Sequence, residues 1–254
     1  MRLYLAGADS GGEHAVLDGL RDLSFLVSYW YIVNGRGQRV VDYAVSNGIP
    51  LFLDSGAFSA MTIGAKIQID DYVTYCKEHG YKFDVIASLD VIGNHRETAK
   101  NHDYMRTAGI NSIPTFHVNA PFSELDRLIG ENDYIALGVA GMQRRRSQLM
   151  AWLVKCFRVN DGRARFHGFA LTSPVVMYSF PWFSVDSSTW INGRRFGVVV
   201  VKKANGFSSI GREDFQKYKI PVHLRIPRNA SKEDSDPVIR HNAQQMLEWA
   251  RNYK

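Results

Sequence analysis

Short apolar runs alternate along the chain with longer segments whose apolar residues recur at helical spacing. The runs at 2–6, 25–31, 51–54, 84–89, 112–118, 134–140, 165–171 and 182–186 are apolar, several β-branched or aromatic, and bounded by Gly, Pro, Asn or Asp, which reads as strands. Between them, 37–46, 70–79, 95–107, 121–128 and 148–157 read as helices. This α/β alternation predicts a parallel sheet closed into a single-domain (β/α)8 barrel of the TIM type. The alternative is an open doubly wound sheet. No GxGxxG follows an early strand, and GADSGG at 7–12 has neither that spacing nor the lysine of a phosphate-binding loop, so the barrel is preferred. Past the eighth run, 196–201 reads as an extra strand and 225–237, rich in charged and small residues, as a loop. A closing helix over 237–252 would dock Val238, Ile239, Met246, Leu247 and Trp249 on the barrel. Residues 1–254 thus form one domain, with 196–254 a basic C-terminal extension packed on the barrel.

Composition adds bounds. A chain of 254 residues, 45% hydrophobic, is large enough to bury a substantial core. No stretch approaches the roughly 18 uninterrupted apolar residues of a transmembrane helix, and MRLYLAGADSGGE places Asp and Glu too early for a signal peptide, so a soluble, cytoplasmic protein is expected. The two cysteines, Cys76 and Cys156, are far apart on predicted helices; buried free thiols are expected rather than a disulfide framework or a thiolate zinc site.

The net charge of +6 is unevenly spread. Residues 1–140 carry 11 Lys/Arg against 17 Asp/Glu, and the remaining residues carry 20 against 8. Clusters at Arg144-Arg145-Arg146, Arg194-Arg195 and Lys202-Lys203 fit a phosphate-binding surface, and charge alone fits a solvated basic face equally well.

In a barrel, the carboxyl ends of the strands and the loops after them build the active site. Three carboxylates follow apolar runs there: Asp54 in LFLDSGAFS, Asp90 in VIASLDVIGN and Asp186 in FSVDSST. Any one of them serves as well for an N-cap or Asx-turn. Barrel closure would gather all three around one mouth, where like charges raise the pKa of at least one of them, as acid–base work requires.

DSGAFS at 54–59 resembles the DSGGFQ motif of tRNA-guanine transglycosylases. SLDVIGN resembles the family's second, base-recognising aspartate, YIALGVAG its glycine-containing base-binding strand, HGFALTSP its penultimate-strand motif, and FSVDSSTW its nucleophile strand. Order and spacing agree from about residue 50 to 195. The wording HGFALTS…PWFSVDSSTW is similar to the phage and bacterial branch that places 7-deazaguanines in DNA.

The resemblance implies a role for each matching residue. Asp186 attacks the sugar C1′ and expels guanine, and the incoming base displaces the resulting glycosyl–aspartate. Asp54 is the general acid and base. Asp90 accepts hydrogen bonds from the purine N–H groups, with Ser55 and Gly56 beside it and the backbone of Gly138 and Gly141 along the base edge. His117 either takes the place of a base-contacting glutamine or is structural, and Phe58 either stacks on the purine or joins the core. His167 begins its strand, at the barrel's stability end, and is expected to be structural. Arg144, Arg145, Arg194, Arg195, Lys202 and Lys203 would hold phosphates, or line exposed loops. Ser187, Ser188 and Thr189 would orient the carboxylate or touch a phosphate. Trp182, Trp190, Tyr178 and Phe183 would fill the gap left by an extruded nucleotide, or pack in the core.

The family's tRNA enzymes hold zinc through three cysteines and a histidine. No CxCxxC occurs here, so no metal and no cofactor are expected, and DNA is preferred to tRNA. The implied partners are guanine-containing duplex DNA with a flipped base and a free 7-deazaguanine such as the 7-cyano form, with no membrane and a homodimer left open. The setting would be the host cytoplasm if the protein is phage-encoded. A retaining glycosyl hydrolase or nucleoside deoxyribosyltransferase, and a non-catalytic nucleic-acid-binding barrel, are the competing readings.

Overall fold

The computed structural model describes residues 1–10, 13–139, 146–170, 173–227 and 231–253. Eight strands, β1 (Arg2–Ala6), β2 (Phe25–Ser28), β3 (Leu51–Asp54), β4 (Val85–Ile86), β5 (Thr115–His117), β6 (Tyr134–Gly138), β7 (Arg165–Gly168) and β8 (Ser184–Ser187), form one parallel sheet in the order β4-β3-β2-β1-β8-β7-β6-β5. Helices Gln38–Ser46, Ile69–His79, His95–Thr107, Phe122–Glu131 and Arg146–Asn160 lie where periodicity predicts them. A βαβ sheet buries both faces, which is why these strands read as short, almost continuous apolar runs.

The two faces nevertheless differ. Leu3, Leu5, Phe25, Val27, Leu51, Leu53, Phe116, Ile135, Leu137, Phe166 and Val185 join the large cluster shared with the helices. The alternate residues Tyr4, Leu26, Phe52 and Ala87 form a separate small cluster, packed with Ala6, Val85, Ile113 and Phe169. The Phe52 ring on β3 lies 4.6 Å from that of His167 on β7. Those strands stand four places apart in the sheet order, about 19 Å in a flat sheet at ~4.8 Å per strand, so the sheet is strongly curled. An isolated parallel bridge joins Ala87 to Ile113, with the Ile113 N–H donating to the Ile86 carbonyl (2.8 Å) and the Ser88 N–H to the Ile113 carbonyl (2.9 Å).

Most predicted strands are trimmed at their carboxyl ends. The run at 25–31 stops at Ser28, in register with Asp54, because Tyr29–Val33 turns into a short helix that buries Tyr29 and Ile32. Proline at 114 has no N–H to offer the ladder, and β5 starts after it. The eighth strand starts and ends later than expected, so Asp186 is its third residue and not its last. Short helices at Ala57–Thr62, Pro174–Ser179 and Asn192–Phe196 escaped the periodicity argument, each being too short to show a period.

The C-terminal extension departs most from expectation. Phe196 ends a helix, and the extra strand is β9 (Val199–Lys203), paired antiparallel with an unforeseen β10 (Gly206–Ile210) in a separate hairpin. The closing helix runs over Lys232–Arg251, so it starts inside the expected loop. A capping box sets its start: the Ser231 hydroxyl accepts from the Asp234 N–H, and the Asp234 carboxylate accepts from the Ser231 N–H. Val238, Ile239, Met246, Leu247 and Trp249 are buried as expected. Among the described residues no helix is long and apolar enough to cross a membrane.

Fully buried Asn242 ties this helix to the rest of the chain. Its Nδ2 donates to the carbonyls of Trp190 (3.2 Å) and Val198 (2.9 Å), and its Oδ1 accepts from the Val200 N–H (2.7 Å). Asn242→Leu strands three buried backbone groups and is expected to lower stability by about 3 kcal/mol, read as a lower denaturant midpoint at unchanged slope. A change below about 0.5 kcal/mol would contradict that anchoring role.

Candidate active site

Parallel pairing sends in-register residues to the same side of a sheet, and the curled sheet gathers that side into one space. Ser28 pairs with Asp54, Tyr4 with Asp186, His167 with Ser184 and His117 with Gly138, so polar groups from six strands point into the interior near its carboxyl end.

Asp186 is buried, and its Oδ1 is held by two donors: the Ala170 N–H at 2.8 Å and His167 Nε2 at 3.3 Å. Ala170 adopts φ +52°, a left-handed conformation uncommon for a residue with a Cβ, and this backbone turn aims its N–H at the carboxylate. Oδ2 carries no such bond among the described residues. The neighbouring hydroxyls serve each other: the Ser187 hydroxyl donates to Thr189 Oγ1 (3.0 Å) and accepts from the Thr189 N–H (3.2 Å). They do not orient the carboxylate as expected.

Asp54 ends β3 and keeps some exposure. Its Oδ2 accepts from the Gly56 N–H at 3.0 Å. Burial, then the charges of Asp90 and Asp186, push its carboxyl up to about 8, against the Gly56 hydrogen bond. At neutral pH it therefore holds a proton. Gly56 is required here: at φ +79°, a Cβ would lie 2.1 Å from Ser28 Oγ and 2.6 Å from Trp30 Cβ.

Asp90 accepts from the Ser55 hydroxyl at 3.2 Å, and its Oδ2 lies 4.0 Å from His117 Nε2, which also meets Thr98 Oγ1 at 3.3 Å. Burial pushes Asp90 up to about 6 and His117 down to about 4, the latter helped by His95, so this imidazole is neutral at pH 7. Gly138 leaves room beside it: a Cβ would lie 2.8 Å from Thr115 Cγ2 and 3.4 Å from His117 Nδ1. A cavity of about 500 Å³ opens beside Asp90, lined mainly by apolar residues that include Ala57, Met61, Ile67, Leu89 and Ile92. Phe58 is half exposed on the helix after Asp54 and belongs to no core cluster.

Two residues of the site escaped sequence reasoning. His167 is the third residue of β7, fully buried and bonded to Asp186, not a stability-end residue; its period-two alternation with Phe169 was the available signal. Asp9, three residues past the end of β1, is a further buried carboxylate. Its Oδ2 accepts from the Ser28 N–H (3.2 Å) while Oδ1 has no partner among the described residues, and burial, opposed by hydrogen bonds, pushes it up to about 6.

The expected basic contacts divide. Gly141, Arg144 and Arg145 lie outside the described residues. Arg194 is an internal tie: Nη1 donates to Glu13 (2.6 Å), Nε to the Ser235 hydroxyl (2.9 Å) and Nη2 to Asp236. Each of its three nitrogens donates within the fold. Arg195 is exposed above Gly7, at the carboxyl end of β1. Lys202 pairs with Glu248 (3.2 Å), and Lys203 lies over the Tyr218 ring (5.7 Å). Trp182 and Trp190 are buried core residues, their indole N–H groups donating to the Val176 and Ala6 carbonyls, so neither walls a pocket. Phe183 precedes β8 at the sheet's amino end, under the Arg165 guanidinium, far along the strands from the carboxylates. Cys76 and Cys156 are buried free thiols, and no group of metal-binding residues occurs among the described residues.

Compared with protein-family models and with curated proteins, the chain finds no match in either.

The raised carboxyl of Asp54 has a consequence for stability. The folded chain holds this proton more tightly than the unfolded chain does, so stability falls as pH rises from about 3.8 towards about 8. Asp54→Asn, neutral at every pH, is expected to raise stability at pH 8 by on the order of 2 kcal/mol and to leave it nearly unchanged at pH 4. Thermal melts at the two pH values check this, and an equal change at both would contradict the buried proton.

Proposed function

We propose that the protein is a base-exchange transglycosylase of the tRNA-guanine transglycosylase superfamily, replacing guanine in DNA with a 7-deazaguanine such as 7-cyano-7-deazaguanine. The observation that carries this reading is the pairing of two differently prepared carboxyls at one strand-end space. Asp186 has one oxygen held by two N–H donors and the other without a hydrogen bond among the described residues, while Asp54 keeps its proton at neutral pH. A nucleophile and a general acid need this division of roles.

The chemistry balances without a cofactor. Asp186 Oδ2 forms a bond to C1′ as the C1′–N9 bond breaks, its electron pair leaving with guanine, which takes the Asp54 proton. The incoming base then loses its N9 proton to the Asp54 carboxylate and bonds to C1′, and the C1′–O bond breaks to restore both carboxyls. Asp90, fixed by Ser55 and beside neutral His117, accepts from the N–H groups of the base, with Gly138 giving close approach. Half-exposed Phe58 stacks on it.

The barrel reading adds closure of the curled sheet through the Ala87–Ile113 bridge, between β4 and the approach to β5. A mouth so enclosed cannot reach a C1′ inside stacked DNA, so the guanosine must be extruded. Arg195, exposed above β1, and the basic second half of the chain hold the backbone. The reaction's setting is the cytoplasm, and a homodimer is compatible with it.

The decisive test incubates the protein with guanine-containing duplex DNA, or tRNA, plus an isotope-labelled 7-deazaguanine base, and reads digested nucleosides by mass spectrometry. Label is expected in DNA, and Asp186→Ala and Asp186→Asn are each expected to lower incorporation on the order of 10³-fold or more. Label in tRNA alone would overturn the DNA assignment, guanine release without label would indicate a hydrolase, and full activity in either variant would remove Asp186 as nucleophile.

A further inference from the structure

A line of polar groups, running from partly buried Tyr134 to fully buried Ser184 and His167, lies behind Asp186 and is not used by the reaction as described. Tyr134 Oη lies 2.5 Å from Ser184 Oγ, Ser184 Oγ 2.6 Å from His167 Nδ1, and His167 Nε2 3.3 Å from Asp186 Oδ1. Ser184 and His167 are fully buried, in register on neighbouring strands. Rings surround the imidazole: Phe52 at 4.6 Å, Phe169 at 4.8 Å and Tyr4 at 6.0 Å. Among the described residues it has no other polar partner.

Counting hydrogens decides which nitrogen carries the proton. The line has three links. With a neutral imidazole protonated on Nε2, three hydrogens fill them: Tyr134 O–H donates to Ser184, Ser184 O–H to Nδ1, and Nε2–H to Asp186. An imidazolium adds a fourth hydrogen, which the three links of the line do not accommodate. The other neutral tautomer turns the bare Nε2 lone pair onto a carboxylate oxygen.

On the transglycosylase reading, we propose that His167 is the positioning residue of the nucleophile, locked by Ser184 and Tyr134 as the neutral Nε2–H tautomer so that Asp186 Oδ1 is fixed and Oδ2 attacks C1′. The imidazole keeps its proton throughout. Once Oδ2 is esterified, Oδ1 is the ester carbonyl and accepts the same two N–H bonds; when the ester is displaced, those donors receive the returning negative charge. A neutral donor steadies the carboxylate without the loss of nucleophilicity that a full positive charge beside it would bring.

Two measurements test this separately from the function. In the full-length protein labelled with 15N-histidine, the imidazole spectrum at neutral pH is expected to show His167 protonated on Nε2 and bare on Nδ1, and Ser184→Ala is expected to mix in the Nδ1–H form. An imidazolium, or a dominant Nδ1–H form, overturns the proposal whatever the enzyme's substrate. In the exchange assay, His167→Ala is expected to lower kcat about 100-fold with the KM for DNA and for free base within about 2-fold, and His167→Gln, whose amide N–H reaches the same place, to recover about 10-fold of that loss. Raised KM at intact kcat, or no recovery in a His167→Gln protein with a wild-type melt, overturns it. Wild-type protein that exchanges no base on any nucleic acid refutes the transglycosylase reading, and the spectrum then still decides the tautomer.

Discussion

Register in a curled parallel sheet is the constraint on which everything else rests. Because paired residues of parallel strands face the same side, the pairings of Tyr4 with Asp186, His167 with Ser184 and Ser28 with Asp54 decide at once what the interior contains. A slip of one residue in any strand would carry its polar groups into the apolar layer under the helices and its Leu, Val or Phe into the interior. The curl then brings β3 against β7, and the rings of Tyr4, Phe52 and Phe169 pack together on the same inner face as the carboxylates.

That gathering of carboxylates is electrostatically costly. Asp9, Asp54 and Asp90 are all raised, each first by burial, and Asp54 further by its acidic neighbours. Few fixed positive charges relieve them: Arg195 acts on Asp9, but Arg194 is committed to Glu13 and Asp236. Instead, hydrogen-bond donors hold the carboxylates, namely the Ala170 and Gly56 N–H groups, the Ser55 hydroxyl and His167 Nε2. Such donors hold carboxylates in place while leaving one of them able to keep a proton. The left-handed backbone at Ala170 and Gly56 has the same origin, since each turn exists to aim an N–H at an aspartate.

Much of the architecture was legible from period and punctuation. Strands β1 and β3 and the helix His95–Thr107 coincide with the apolar pattern residue for residue. Errors fell where local signals are weak or compete. One-turn helices carry no measurable period, and the strand-like run ending YWY at 29–31 bends into a helix that buries its aromatics. Pro237 lies inside the closing helix, whose start is set earlier by the capping box of Ser231 and Asp234.

By itself the sequence determined the α/β alternation, the apolar layers and the three aspartates that close apolar runs, because period-two and helical spacing are local properties of a chain. Only the tertiary structure decided which face of β7 turns inward, and so made His167 a partner of Asp186; it likewise brought Asp9 among the carboxylates and withdrew Arg194 into an ion-paired tie. Those outcomes depend on strand register and on contacts between residues far apart in the chain, here 181 positions between Glu13 and Arg194, and no local pattern encodes such a meeting.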